Sequence, residues 1–209
     1  DGTFLGIRAH IIANMGAYLS PLFVAHTLLS NGGIIGVYKT PTAHLKISAI
    51  HTNTGSTNPY RGSNRPDVAY YIERLIDVAA IETGIDRIEL RRRNIIPDTD
   101  FPHKGPIGIN YDCGNFTLDF EEALRLIDAD GFDTRRKRSE ANGKFRGLGI
   151  ANNVEGAAGG GQEFVDISLD ANGKVDVFAG TTENGQGHPT MYRQVVSDKL
   201  GIDVDLIAV

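Results

Sequence analysis

The stretch Gly180-Thr-Thr-Glu-Asn-Gly-Gln-Gly-His188 runs directly into Pro189-Thr-Met-Tyr-Arg-Gln-Val-Val196, and its reading decides the fold. Three glycines and several polar side chains stand there with almost no hydrophobic bulk. A strand pattern ends just before it and a helical pattern begins just after it. Glycine lets a backbone turn tightly or approach another group closely. A helix start offers unpaired N–H groups and the positive end of the dipole. Pro189 suits the first helical turn, where its missing donor costs nothing. The stretch therefore reads as a seat for an anionic or hydrogen-bond-rich ligand. A tight strand-to-helix turn that needs glycine only for its geometry fits the same spacing, because a lone Gly-x-Gly loop is a weak signal.

Working outward, residues 163–179 form the clearest hairpin signal in the chain. Val165, Ile167 and Leu169 alternate as an inward face, Asp170-Ala-Asn-Gly173 turns, and Val175, Val177 and Ala179 return. A helix over 189–200 ends at Gly201. Upstream, 145–154 reads as a strand entering the glycine-rich run Glu155-Gly-Ala-Ala-Gly-Gly-Gly161. Two helices precede it. One covers 117–128 with Leu118, Leu124 and Ile127 inward, and the other covers 133–141 with a basic surface.

In the first half, 3–13 alternates as a half-buried strand. Residues 21–30 read as a short helix or packed loop and 30–33 as a turn. Residues 34–38 and 43–50 read as strand segments, with Ala43, Leu45, Ile47 and Ala49 inward. A polar loop from Thr52 to Arg65 leads into a long helix over 66–83. Ser63 or Asn64 is its candidate cap, and Val68, Ile72, Leu75 and Ala79 form its buried stripe. Gly84 takes the position just past its end. Asp86 and Glu89 are spaced as a capping box for a shorter helix, and Arg91-Arg-Arg93 reads as a solvated or salt-bridged face. Residues 96–116 are rich in Pro, Gly and Asp and read as a linker or covering loop. Strands with helices laid beside them give an α+β class, with mixed sheets and flanking helices, rather than a parallel βαβ protein.

With 209 residues the chain is long enough for one or two cored domains. A formal net charge of −5 argues against nucleic acid or an anionic membrane surface as the main partner. No apolar run approaches the roughly 18 residues needed to span a bilayer. The single cysteine, Cys113, excludes an internal disulfide, and no Cys/His cluster has zinc or iron–sulfur spacing. A redox metal therefore has to arrive inside a cofactor or sit on another chain. Asp1-Gly2 reads as a hairpin turn without its first strand, and 206–209 as a strand with nothing after it, as expected of a piece of a longer chain.

A second loop, Tyr60-Arg-Gly-Ser-Asn-Arg-Pro66, also carries glycine at a helix start. From the residues alone, Arg61 reads first as a loop arginine holding a carboxylate, and only second as a ligand fork. Tyr60-Arg-Gly-x-x-Arg-Pro66, the helix Tyr70-Tyr-Ile-Glu-Arg-Leu75 and Gly84-Ile-Asp-x-x-Glu-Leu-Arg-Arg-Arg-Asn94 appear in that order. Together with Gly185-Gln-Gly-His188, Tyr38-Lys-Thr-Pro41 and Asn53-Thr54, they resemble the molybdenum-binding large subunit of the xanthine dehydrogenase, aldehyde oxidase and aerobic carbon monoxide dehydrogenase family. The resemblance covers nearly the whole chain, as an internal segment of such a subunit. It implies that 1–100 is the C-terminal part of a first molybdopterin-binding domain, 101–116 a linker, and 117–209 the N-terminal part of a second.

The resemblance further implies a molybdenum-bearing molybdopterin, as the cytosine dinucleotide in bacterial members, that hydroxylates an aldehyde or N-heterocycle with oxygen from water. Electrons would leave through iron–sulfur clusters and FAD on other domains or subunits, in a cytoplasmic, oligomeric enzyme. Residue by residue, it implies cofactor contacts at Arg61, Gly185, Gln186, Gly187, His188 and Thr190, and a substrate pocket lined by Ser63, Glu155 and Gly156. Gly62 stands where carbon monoxide dehydrogenases place a copper-binding cysteine, so no copper is expected. The family's glutamate base and its Phe-Gly-Gly loop have no counterpart in these residues, so this segment by itself is expected to be inactive and to hold no molybdenum. Two other readings compete: a non-catalytic relative that keeps the fold, and a phosphate-binding domain built on the Gly185 loop. The latter lacks a Walker lysine and a Rossmann Gly-x-Gly-x-x-Gly unit.

Overall fold

The computed structural model describes residues 1–23, 30–60, 62–155 and 162–209. It divides into two compact units, Asp1–Glu155 and Gly156–Val209. In the first unit, strand β1 (Ile7–Gly16) pairs in parallel with β2 (Ala43–His51), in register from Ile7↔Ala43 to Asn14↔Ile50. The expected strand over 3–13 thus starts later and runs to Gly16. Alternation works as read: Ile7, Ala9, Ile11, Ala43 and Leu45 turn toward a cluster of Ile34, Ile35, Ile96 and Tyr111. Ala49 is exposed. The expected strand over 34–38 is instead a 3₁₀ helix (Ser30–Ile35) followed by a turn, with one antiparallel bridge from Tyr38 to Ile95. The expected helix or loop over 21–30 falls largely on 24–29, outside the described residues.

Helix α1 (Arg65–Thr83) is one residue longer than expected and ends at Gly84 with φ 69°. It buries Val68, Ile72, Ile76 and Ala80, an i, i+4 row. Leu75, assigned inward from the sequence, is half-exposed. The row meets Val37, Tyr38, Leu90, Ile95, Phe120 and Leu124, and each such buried aliphatic side chain contributes about 1.5–3 kcal/mol. Helix α2 (Arg87–Asn94) is capped by the Asp86 carboxylate, which accepts from the N–H groups of Ile88 and Glu89 at 2.9 and 3.0 Å. Glu89 turns outward to Arg93 and Arg92.

The largest correction concerns the arginine run. Arg92 and Arg93 are salt-bridged on the surface as expected, but the Arg91 side chain is 0% exposed. Its guanidinium donates to Glu73 Oε2 at 2.8 Å and to the Glu73 carbonyl at 3.1 Å, and it pairs with Asp77 at 2.9 Å. Glu73 in turn accepts from Tyr38 Oη at 2.6 Å. Burial alone would lower the Arg91 pKa; the neighbouring Glu73 charge offsets this and holds it above its ordinary value.

Residues 96–116 contribute a two-stranded hairpin, β3 (His103–Lys104) with β4 (Asn110–Tyr111), and lend Ile96 and Tyr111 to the core. Helix α3 (Phe116–Leu126) buries Phe120 and Leu124, whereas Leu118 and Ile127 face outward, contrary to the sequence reading. Helix α4 (Phe132–Ala141) buries no side chain. The expected strand over 145–154 has no regular structure, and Phe145 is fully exposed.

In the second unit, β5 (Val165–Leu169) and β6 (Val175–Ala179) form the expected hairpin, from Val165↔Ala179 to Leu169↔Val175. Asp170 closes its turn by accepting from Asn172 N and Lys174 N, both at 2.8 Å. Helix α5 (His188–Leu200) then leads to β7 (Ile207–Ala208), which lies parallel to β6. Val175, Val177, Val196 and Ile207 form the core. Val165, Ile167 and Leu169 are exposed, because α5 covers the β6–β7 side of the sheet only. The class is α+β with mixed sheets, as read; among the described residues β1–β2 and β6–β7 pair in parallel, the latter through α5, and the other strand pairs are antiparallel.

Candidate cofactor site

The two loops singled out in the sequence lie in different units, each at the N-terminus of a helix. In the first unit, the C-terminal ends of β1 and β2 carry a polar knot. Thr52 Oγ1 donates to Asn14 Oδ1 at 2.6 Å, Asn14 Nδ2 donates to Thr54 Oγ1 at 3.0 Å, and Gly16 N donates to Asn14 Oδ1 at 2.8 Å. This knot satisfies the strand ends and launches the loop that reaches α1. Ligands in α/β structures gather at such carboxyl strand ends.

The loop closes by turns: Ser63 N donates to Tyr60 O at 2.7 Å and Arg65 N to Gly62 O at 2.9 Å. Gly62, Ser63 and Asn64 all have positive φ, at 91°, 43° and 68°. Two consecutive non-glycine residues in the left-handed region are costly, of order 1–3 kcal/mol each, and such strain concentrates at ligand sites. Asn64 takes the cap position without a side-chain cap bond, so the capping expectation fails in its chemistry. Arg61 and Gly156 lie outside the described residues.

Of the expected pocket residues, Glu155 is tied by Arg65 to the loop that carries Ser63. Arg65 Nη1 reaches Gly62 O at 3.5 Å and Glu155 Oε1 at 3.2 Å. Sequence reasoning passed over Arg65; its signal was the second arginine of Arg-Gly-x-x-Arg-Pro. The pair is a third to a half exposed, so it fixes direction more than it adds stability.

In the second unit, the loop after β6 folds onto its own acidic residue. Glu183 accepts from the N–H groups of Gly185, Gly187 (3.3 Å) and His188 (2.6 Å). Desolvation pushes the Glu183 pKa up, but the three backbone donors and His188 outweigh it and hold the carboxyl below its ordinary range. The seat read from the sequence as open to an anion is thus filled by the chain's own carboxylate. Gln186 Oε1 accepts from Asn184 N, which leaves the exposed Gln186 NH₂ as the outward donor. A Cβ added to Gly185 or Gly187 would meet nothing within 4 Å, so open space lies before both. His188 Nδ1 is buried with no hydrogen-bond partner among the described residues, and Thr190 is exposed on the first turn of α5. Tyr192 braces this end, its ring 5.6 Å from that of His188 and its hydroxyl 2.6 Å from Thr181 Oγ1.

These residues fit an oxygen-rich organic cofactor: a free amide donor, an orphaned imidazole nitrogen and glycines facing open space. No group of three or more His, Cys, Asp or Glu among the described residues could hold a metal ion.

Comparison with known proteins identifies the family. Residues 1–95 match one molybdopterin cofactor-binding domain model, and residues 122–209 match a second. The chain belongs to the molybdenum hydroxylase large-subunit family. It is 31% identical to the carbon monoxide dehydrogenase large chain of Afipia carboxidovorans, over 100% of this chain and 28% of that protein. It is 28% identical to the 6-hydroxypseudooxynicotine dehydrogenase complex subunit gamma of Paenarthrobacter nicotinovorans, over 99% of this chain and 27% of that protein. A solved copper- and molybdenum-containing carbon monoxide dehydrogenase superposes with a TM-score of 0.83 at 28% identity, covering 99% of this chain and 29% of that one. The chain thus spans a little over a quarter of the length of the relatives it matches.

Proposed function

We propose that, within a full-length large subunit, this chain supplies cofactor contacts to a molybdopterin site in an enzyme that hydroxylates an aldehyde or N-heterocycle. The observation supporting this is the pair of helix-capping loops, each inside a stretch matched by a molybdopterin-binding domain model. Arg61, Gly185, Gln186, Gly187, His188 and Thr190 would hold the cofactor, with Gln186 donating through its amide. Ser63, Glu155 and Gly156 would line the substrate pocket, with Arg65 orienting Glu155. The cofactor, when bound, supplies the redox chemistry; this chain's residues bind, orient and exclude water.

The cytosine dinucleotide form, electron transfer through iron–sulfur and FAD subunits, a cytoplasmic oligomer, and a domain boundary at 101–116 belong to the same proposal. So does the absence of copper, since Gly62 offers no thiolate. No helix among the described residues is long and apolar enough to cross a membrane. The test is elemental analysis with pterin fluorescence on the full-length protein. Molybdenum near one per chain, lost in Gln186→Ala, is expected; a metal-free, pterin-free protein favours the non-catalytic relative.

A further inference from the structure

Helix α5 begins without a side-chain cap of its own. Its cap residue is Gly187, at φ 80°, which has no side-chain oxygen to offer the first-turn N–H groups. Glu183, four residues upstream, supplies that oxygen instead. One carboxylate oxygen takes Gly185 N and Gly187 N, and the other takes His188 N. Charge-assisted bonds to three amides within four residues close the loop into a ring around one carboxylate.

The ring has a consequence for Gln186, which lies inside it. With Gly185 N and Gly187 N committed to Glu183, the backbone on either side of Gln186 is fixed. Its carbonyl oxygen then turns back onto Asn184 N. The amide NH₂ is left facing outward. Four of the backbone donors that the loop would offer an anion are spent internally, while the Gln186 side-chain amide faces outward as a donor.

We propose that Glu183 is a positioning residue: it touches no cofactor, stands in for the missing cap of α5, and shapes the loop so that Gln186 presents its N–H groups. The inference rests on the cofactor-site reading above. It also distinguishes Glu183 from the absent base of the family, because its oxygens are occupied by backbone donors.

The test uses the full-length protein as wild type, Glu183→Ala, Glu183→Gln, Gln186→Ala and the Glu183→Ala/Gln186→Ala double variant. Two quantities are read: amide hydrogen exchange over residues 184–188, and molybdenum retained per chain after dialysis. Glu183→Ala is expected to speed exchange there roughly tenfold, the loss of charge-assisted hydrogen bonds. Glu183→Gln, which keeps one carbonyl acceptor, falls between it and wild type. Molybdenum retention is expected to drop as far in Glu183→Ala as in Gln186→Ala, and no further in the double variant, because the two act as one unit. Unchanged exchange in Glu183→Ala, or losses that multiply in the double variant, overturns the proposal. Should Glu183→Ala misfold by circular dichroism, Glu183→Gln decides on the same two readouts. A wild-type protein without molybdenum, in which Glu183→Ala still speeds exchange, refutes the cofactor reading while the loop-setting role stands.

Discussion

Replacing Arg91 with methionine removes the cation from the buried cluster while keeping most of its apolar volume. The guanidinium satisfies the Glu73 carboxylate at 2.8 Å, the Glu73 carbonyl at 3.1 Å and the Arg87 carbonyl at 3.1 Å, and it pairs with Asp77 at 2.9 Å. After the change, Glu73 keeps one donor, Tyr38 Oη, in a site where its side chain is 5% exposed. Stranding a buried charge in this way costs about 3–5 kcal/mol. At about 2–4 °C per kcal/mol for a chain of this size, the melting temperature should fall by roughly 6–20 °C. Adding Glu73→Gln removes the stranded charge and leaves an amide oxygen for Tyr38, so the double variant should recover a large share of the loss. Urea denaturation followed by far-ultraviolet circular dichroism measures both. A loss below about 1 kcal/mol for Arg91→Met, the range of an exposed pair, or no recovery in the double variant, would refute the claim that this cluster is desolvated and coupled.

Three other outcomes follow from particular groups. Tyr38 and Tyr111 are raised above the ordinary tyrosine value by burial, and Tyr38 also by the Glu73 charge. A raised folded-state pKa leaves stability intact below pH about 10 and erodes it above. Ultraviolet titration should therefore show these two phenolates only as the chain unfolds, and their ionisation in the folded chain would contradict their burial. Gly187→Ala meets no neighbouring atom, yet it forces φ 80° on an L-residue at a cost of about 1–2 kcal/mol; denaturation that leaves the midpoint unmoved would show that the loop readily adopts another conformation. Arg65→Ala breaks an exposed pair and should shift stability by less than about 1 kcal/mol. Its effect should fall on substrate KM in the full-length enzyme, and a large thermal shift would show that Arg65 is a structural residue.

The sequence by itself determined the features that rest on local physics. Gly84 and Gly201 end their helices because the left-handed positions there suit a residue without Cβ. Asp86 caps α2 and Asp170 closes the turn of a hairpin because their carboxylates accept from backbone N–H groups within four residues. The order of short motifs was enough to point to the family, and both glycine loops were placed at helix starts from their residues. Tertiary structure decided whatever depends on a partner distant in the chain. Arg91 reads as surface in any local window; Glu73 and Asp77, on the preceding helix, make its burial possible. Leu75, Leu118 and Ile127 have the right chemistry for a core, but the angular position of each helix is fixed by what packs against it. Val165, Ile167 and Leu169 alternate correctly, yet α5 reaches only the other half of their sheet. The opening glycine loop shows both levels at once. Its turn and helix start are local, while the closure of Glu183 on three backbone donors is a geometry that no spacing rule contains.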